Sequence, residues 1–208
     1  MKLISHSFAD AQKIPDEFAF GIVDPAHHVG LGQNRNPHLS WSDVPENTRS
    51  FALLCHDPDA PSVGDDVNQE GRAVPVSLPR VDFFHWLLVD LPASLREIQA
   101  GEFSSTVTPK GKPGPQAPHD ARQGVNDYTA WFSSDNDMRG DYYGYDGPCP
   151  PWNDELPHRY VFTLYALDVA RLPLEGRFDG PALRAALQGH VLAEARLTGV
   201  YSLNPSLA

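Results

Sequence analysis

Three stretches limit what this chain can fold into: FALLCHD at 51–57, FFHWLLVDL at 83–91 and RYVFTLYALDV at 159–169 are nearly continuous apolar and aromatic runs bounded by Pro, Asp or Ser. Runs this short and this rich in aromatic and aliphatic residues predict strands buried on both faces, at the centre of a sheet. KLISHSF at 2–8 alternates weakly and predicts an opening strand, PHLSW at 37–41 a short extended piece, and ARLTGVYSL at 195–203 a terminal strand. Helix is scarce. Asp179 or Gly180 precedes Pro181, and ALRAALQGHVLAEA sets Leu183, Leu187 and Val191 four apart, which predicts a helix over 181–194. ASLREIQAG predicts a shorter helical turn with Ser94 as cap and Gly101 as stop.

Length and composition fit one globular domain spanning 1–208, and 20 prolines with 16 glycines imply many turns and long connections. The formal charge of −11 repels nucleic acid and anionic lipid surfaces, so any anion site must be a local pocket. Cys55 and Cys149 are too few for a disulfide framework and form no CxxC pair. No signal-like leader opens the chain, and no segment approaches the ~20 apolar residues of a membrane span. The expectation is a soluble, cytoplasmic protein. Two long connections, 62–82 and 104–147, carry acidic and aromatic residues rather than linker composition, as functional loops do.

The residues with chemistry lie beside the apolar runs. In CHDPDAP, 55–61, Pro58 fixes its own φ and holds Asp57 extended, which aims Asp57 and Asp59; a strand-ending turn with both carboxylates on backbone amides is the plainer alternative. His85 sits inside the second run, where strict alternation points it away from both Phe84 and Trp86, and a satisfied core histidine is the plainer alternative there. GPCPPWNDELPHRY, 147–160, is poor strand material because its prolines donate no backbone hydrogen bond; it predicts a rigid loop leading into His158 and Tyr160. Asp57, His85, His158 and Tyr160 would then meet at the ends of neighbouring strands. Imidazole and phenol donate to phosphoryl oxygens, while a carboxylate orients a histidine or accepts the proton of a singly protonated phosphate. HExxH, GxSxG, GxGxxG and Walker A patterns are missing, so neither a metal ion, a nucleotide cofactor nor a nucleophilic residue is expected, and Cys149 reads as packed rather than reactive.

NRNPHLSW, CHDPDAP, FFHWLLVDLP, GVNDY, and GPCPP with HRYVFTLYALD follow one another in an order that resembles the phosphatidylethanolamine-binding protein family, in particular its bacterial Raf-kinase-inhibitor-like branch, from about residue 34 to the C-terminus. The resemblance implies a mainly β fold, an antiparallel Greek-key β-sandwich with a few peripheral helices, including one near the C-terminus. It also implies a small anion pocket for phosphate or a phosphorylated head group. Asp57 and Asp59 match the family's DPD motif, His85 its strand histidine, and His158 with Tyr160 its HRY segment, while Gly147, Pro148 and Pro151 match the loop lining the pocket mouth. Tyr201 is a candidate for closing the pocket. The segments 62–82 and 129–144 depart from the pattern as insertions that would cover the pocket, change ligand choice or build a dimer contact. The kinase- and protease-inhibitor activities of animal relatives therefore do not carry over.

The reading is a non-enzymatic binding protein without cofactor, whose partner is phosphate, a phosphorylated small molecule or a lipid head group, with a homodimer suggested by bacterial relatives. Two alternatives stand beside it. One is a regulatory interaction protein that modulates an enzyme such as a kinase or protease. The other is a small-ester hydrolase using His158 or His85 as base.

Overall fold

The computed structural model describes residues 1–207. Its strands are β1 (Lys2–Ile4), β2 (Gln12–Lys13), β3 (Gly21–Asp24), β4 (His28–Leu31), β5 (Leu39–Ser42), β6 (Ser50–Pro61), β7 (Arg80–Pro92), β8 (Glu97–Ile98), β9 (Arg122–Gln123), β10 (His158–Leu167) and β11 (Val191–Tyr201), with short helices α1 (Tyr128–Trp131) and α2 (Gly180–Leu187). The fold is mainly β, as expected. The main sheet runs β2-β11-β10-β6-β7-β9, antiparallel except where β2 pairs parallel with β11; β1-β5-β8 form a second sheet and β3-β4 a hairpin. The three apolar runs are the three central strands, and β6 lies between β7 and β10.

Both faces of the main sheet are covered, which explains why its central strands do not alternate in polarity. On one face Phe51, Leu53, Cys55, Trp86, Leu88, Phe162 and Leu164 pack with Leu3, Leu39, Trp41 and Ile98 of the smaller sheet. On the other, Ala52, Leu54, Leu87, Val89 and Leu167 pack with Leu183 and Leu187 of α2. Each fully buried aliphatic or aromatic side chain contributes about 1.5–3 kcal/mol relative to leaving it in water. No helix among the described residues is long and apolar enough to cross a membrane.

Several boundaries differ from the sequence reading. The C-terminal helix begins where expected, with the Asp179 side chain accepting from the Ala182 amide and Pro181 in the first turn, but it ends at Leu187 rather than 194. Gln188 is extended and Gly189 has φ +81°, so the chain turns and enters β11 at Val191, four residues earlier than expected. Pairing with the whole length of β10 outweighs two more helical turns whose third apolar position, Val191, is 40% exposed. The stretch after Ser94 forms β8 against β5 instead of a helical turn. The opening strand stops at Ile4, and β6 continues through DPDAP to Pro61 instead of turning there.

Leu183 is the fully buried anchor of α2. Leu183→Ala is expected to lower stability by about 2–5 kcal/mol in urea denaturation, while Val191→Ala costs under ~0.5 kcal/mol. Comparable losses for the two variants would contradict this packing.

Candidate functional site

Two β-bulges between β6 and β7 shape the site. Cys55 pairs with Trp86 and His56 with Phe84, leaving His85 as the extra residue; further on, Asp57 pairs with Phe83 and Ala60 with Val81, leaving one extra residue in β6 around Pro58 and Asp59. A bulge inserts one residue and re-aims the side chains beside it. The first one resets alternation: Phe84 packs with α2, whereas Trp86 packs on the opposite face with Tyr160. His85 lies against Tyr160, ring centroids 5.1 Å apart, on the Trp86 face rather than opposite both neighbours. GVNDY holds the bulge in place. The Asp127 carboxylate accepts from the Phe84 amide at 2.7 Å, and the Asp127 amide donates to the Phe84 carbonyl at 2.9 Å.

Asp57, His85, His158 and Tyr160 are brought together on this one face and line a single cavity of about 310 Å³. Asp57 Oδ1 accepts from the Asp59 amide at 2.7 Å, and its Oδ2 faces His158 Nδ1 at 2.6 Å. His158 Nε2 faces Asp154 Oδ2 at 3.0 Å, and Arg80 grips Asp154 with two bonds of 2.6 and 3.0 Å. Asp57, His158, Asp154 and Arg80 thus form a buried chain of alternating charge with no net excess. Burial opposes charge on His158, but the hydrogen bonds to Asp154 and Asp57 outweigh it and hold its pKa up to about 9. Its two ring N–H groups are both spent on carboxylates.

His85 differs from His158 in every respect. Its Nδ1 lies 2.8 Å from the Asp146 carbonyl, which only accepts, so Nδ1 carries the proton. Burial pulls its pKa down, ahead of the opposing influence of Asp57 and the Asp146 carbonyl, so the ring is neutral and Nε2 is a bare lone pair. Asp146 is itself fixed by Asn34 and Asn126 at 2.7 Å each and by Lys112 at 3.0 Å. Tyr160 is 1% exposed, and its hydroxyl is without a hydrogen-bond partner among the described residues. A buried hydroxyl left unpaired costs about 1–3 kcal/mol, which a bound ligand would recover.

The other expected residues take supporting places. Pro151 lines the cavity beside Cys149 and Pro150. Asp59 turns away to meet Arg159 through Nε and Nη2, each at 2.8 Å. Gly147 and Pro148 do not line the cavity but pin its loop, the Gly147 amide donating to Asn34 Oδ1 at 2.8 Å and the Pro148 carbonyl accepting from Phe20 and Gly21. The Tyr201 hydroxyl lies 3.0 Å from the Gly21 carbonyl, and Tyr201 is not part of the cavity wall. Cys149 lines the wall with its thiol pushed up to about 12 by burial.

The sequence reading missed the aromatic wall of Phe20, Phe83, Tyr128, Trp131 and Phe132. Phe20 and Phe132 stack on Tyr128 at 4.6 and 5.6 Å. It also missed Asp154, although DELPH, with carboxylate and imidazole four apart in a stiff loop, carried the signal. Both segments, 62–82 and 129–144, contribute to the mouth: Ser62, Val63, Gly64, Val67 and Asn68 from the first, Trp131 and Phe132 from the second. Among the described residues, no group of three or more His, Cys, Asp or Glu side chains is arranged to hold a metal ion.

A histidine whose folded pKa is raised stabilises the fold fully below its unfolded value near 6.5, and that contribution disappears as pH rises through about 9. Denaturation from pH 6 to 10 is expected to show a loss on the order of 3 kcal/mol in the native chain. His158→Gln, which strips the positive charge from between two buried carboxylates, is expected to cost about 3–5 kcal/mol at pH 6 and to flatten the profile. An unchanged profile in that variant would show that another group titrates.

The family model for phosphatidylethanolamine-binding protein matches residues 4–202. The UPF0098 protein YbhB of Escherichia coli (strain K12) is 31% identical over 203 residues, 97% of this chain and 100% of the relative. A UPF0098 protein of Methanothermobacter thermautotrophicus is 32% identical over 97% of this chain and 98% of its own length. Among solved structures, E. coli YbcL, described as a new member of the mammalian family, superposes with a TM-score of 0.68 at 26% identity, covering 97% of each chain. The phosphatidylethanolamine-binding protein homolog CT736 of Chlamydia trachomatis gives 0.65 at 27% identity over 97% of this chain and 96% of its own. With a family model spanning nearly its whole length and the motif residues gathered at one cavity, this chain belongs to the phosphatidylethanolamine-binding protein family.

Proposed function

We propose that the chain is a non-enzymatic binding protein whose cavity takes a phosphoryl group at its polar floor, as phosphate, a phosphorylated small molecule or a lipid head group. The observation that carries this reading is the buried, unpaired Tyr160 hydroxyl in the wall of a preformed cavity where Asp57, His85 and His158 meet a mostly aromatic and aliphatic lining. A small, mostly apolar pocket with a few convergent polar groups is the usual form of a ligand site. Rigidity supports it further: Asp57, His158 and Asp154 fix one another, and Asp146 fixes His85, so little ordering is needed on binding. The apolar wall would hold the organic part of the ligand.

A hydrolase reading lacks support. Both nitrogens of His158 are held by carboxylates, so His85 Nε2 is the lone pair left to act as a base, and it has no activated nucleophile to serve because the Cys149 thiol stays protonated. The reading as a regulator of a partner enzyme gains no specific observation beyond the exposed Trp131, at 52%, on the rim.

Titration of the protein with phosphorylethanolamine at pH 6 tests the proposal. Tyr160→Phe, which removes one hydrogen bond to a charged group, is expected to weaken binding by about ten- to a hundredfold, and His85→Ala to weaken it as well. Equal binding by the native chain and both variants would remove this cavity as the site.

A further inference from the structure

The connection between β6 and β7, residues 62–79, is closed at its ends, where the Ser62 amide donates to the Pro79 carbonyl at 3.0 Å, and it is built of turns rather than strand or helix. A long loop of this form keeps its shape through its own packing or through a neighbour that holds it. Its own packing is slight: the buried side chains are Val67 and Val74, 8% and 1% exposed. Val74 is anchored to the loop before β10, its amide donating to the Asn153 carbonyl at 3.0 Å and its carbonyl accepting from Glu155 at 3.1 Å.

Residues 65–72 hang on one side chain. Asn153, 6% exposed, reaches into the middle of the loop. Its Oδ1 accepts from the Asn68 amide at 2.9 Å, and its Nδ2 donates to the carbonyls of Asp66, Arg72 and Gln69 at 2.8, 3.1 and 3.3 Å. Two N–H bonds thus serve three carbonyls, and a single amide side chain satisfies main-chain groups along the whole loop. Two lesser ties lie beside it. The Trp152 amide donates to Asn68 Oδ1 at 3.0 Å, and Glu70 meets His28, whose ring stacks on Trp152, at 2.7 Å. With Glu70 82% exposed, that pair adds little. Inside the loop, Asp66 pairs with Arg72 at 2.6 Å and the Arg72 amide donates to the Gln69 carbonyl at 3.2 Å, so the segment is cross-linked and can move as one body. At its borders stand Gly64, with open space around its Cα, and the exposed Ala73.

The inner side of this body is cavity wall, through Val67 and Asn68. We propose that residues 65–72 are a lid on the cavity, hinged at Gly64 and Ala73 and latched by Asn153. Lifting the lid breaks the bonds to Asn153 and to the Trp152 amide, uncovers one valine, and leaves main-chain groups that water takes over, while β6, β7 and β10 stay paired. Segments with so few buried apolar contacts open locally, well below the cost of global unfolding. The lid controls access whatever occupies the cavity, so it stands apart from the identity of the ligand. Asn153 is a positioning residue, and its neighbour Asp154 fixes His158, so Trp152 to Asp154 holds both lid and floor.

Hydrogen exchange read by mass spectrometry, in water and in low urea, tests the lid on the native chain. Amides in 65–72 are expected to exchange faster than those of β6 and β10, at a rate that low urea leaves unchanged, because local opening exposes little surface. Asn153→Ala should speed exchange in 65–72 by about ten- to a hundredfold and leave β10 unaffected. Trypsin gives an independent readout, since the peptide bond after Arg72 contains the carbonyl that Asn153 holds; cleavage there should accelerate by a similar factor. Glu70→Gln, which alters the exposed contact to His28, should change either rate by less than about fivefold. Exchange in 65–72 that matches β10 and rises with urea in the native chain would overturn the lid, and this result needs no variant to fold. So would an unchanged rate in Asn153→Ala, or an equal acceleration in β10, which would make Asn153 a support of the whole fold.

Discussion

The site depends on one imidazolium. His158, at the start of β10, lies between Asp57 of β6 and Asp154 of the preceding loop, and Arg80 at the start of β7 closes the chain of charges. These four groups tie together the three central strands at the end where β6 and β7 no longer pair regularly. Charges buried this deeply return little net stability, because desolvation consumes most of their attraction. Their effect is positional: with every polar atom of His158 committed, its ring cannot rotate, and Asp57 presents the cavity with a carboxylate whose orientation is set from behind.

His85 is held by a different device. The bulge in β7 turns it onto the same face as Tyr160, and the Asp146 carbonyl chooses which of its nitrogens carries the proton. Asp146 in turn is gripped by Asn34, Asn126 and Lys112, from three separate stretches of the chain. NRNPH and GVNDY are thus a scaffold behind the histidine, with Tyr128 alone of their residues reaching the cavity wall. Two histidines lining one cavity are driven to opposite states, one charged by its carboxylates and one neutral by burial. The segments 62–82 and 129–144 add a mouth of valine and aromatic side chains, so the polar floor lies at the end of a mostly apolar passage.

Much of this was legible without coordinates. The three apolar runs gave the central strands because runs of that length, closed by Asp and Pro, can be buried only in a covered sheet. Motif order brought Asp57, His85, His158 and Tyr160 together. Reading failed where a residue's role depends on what lies across the chain: Asp59 looked equivalent to Asp57, but the extra residue at the bulge turns it out to Arg159. The helix at 181–194 was read too long because periodicity does not register competition from β10, whose edge captures Val191 onward.

The sequence by itself determined the family, the central strands and the four residues of the floor, since these follow from local pattern and from motifs that survive in order. Only the tertiary structure decided what those residues can do. Whether an imidazole donates or accepts is set by the atom opposite each nitrogen, and those atoms, in Asp154 and Asp146, belong to a loop whose place beside the strand ends is not encoded in any local pattern.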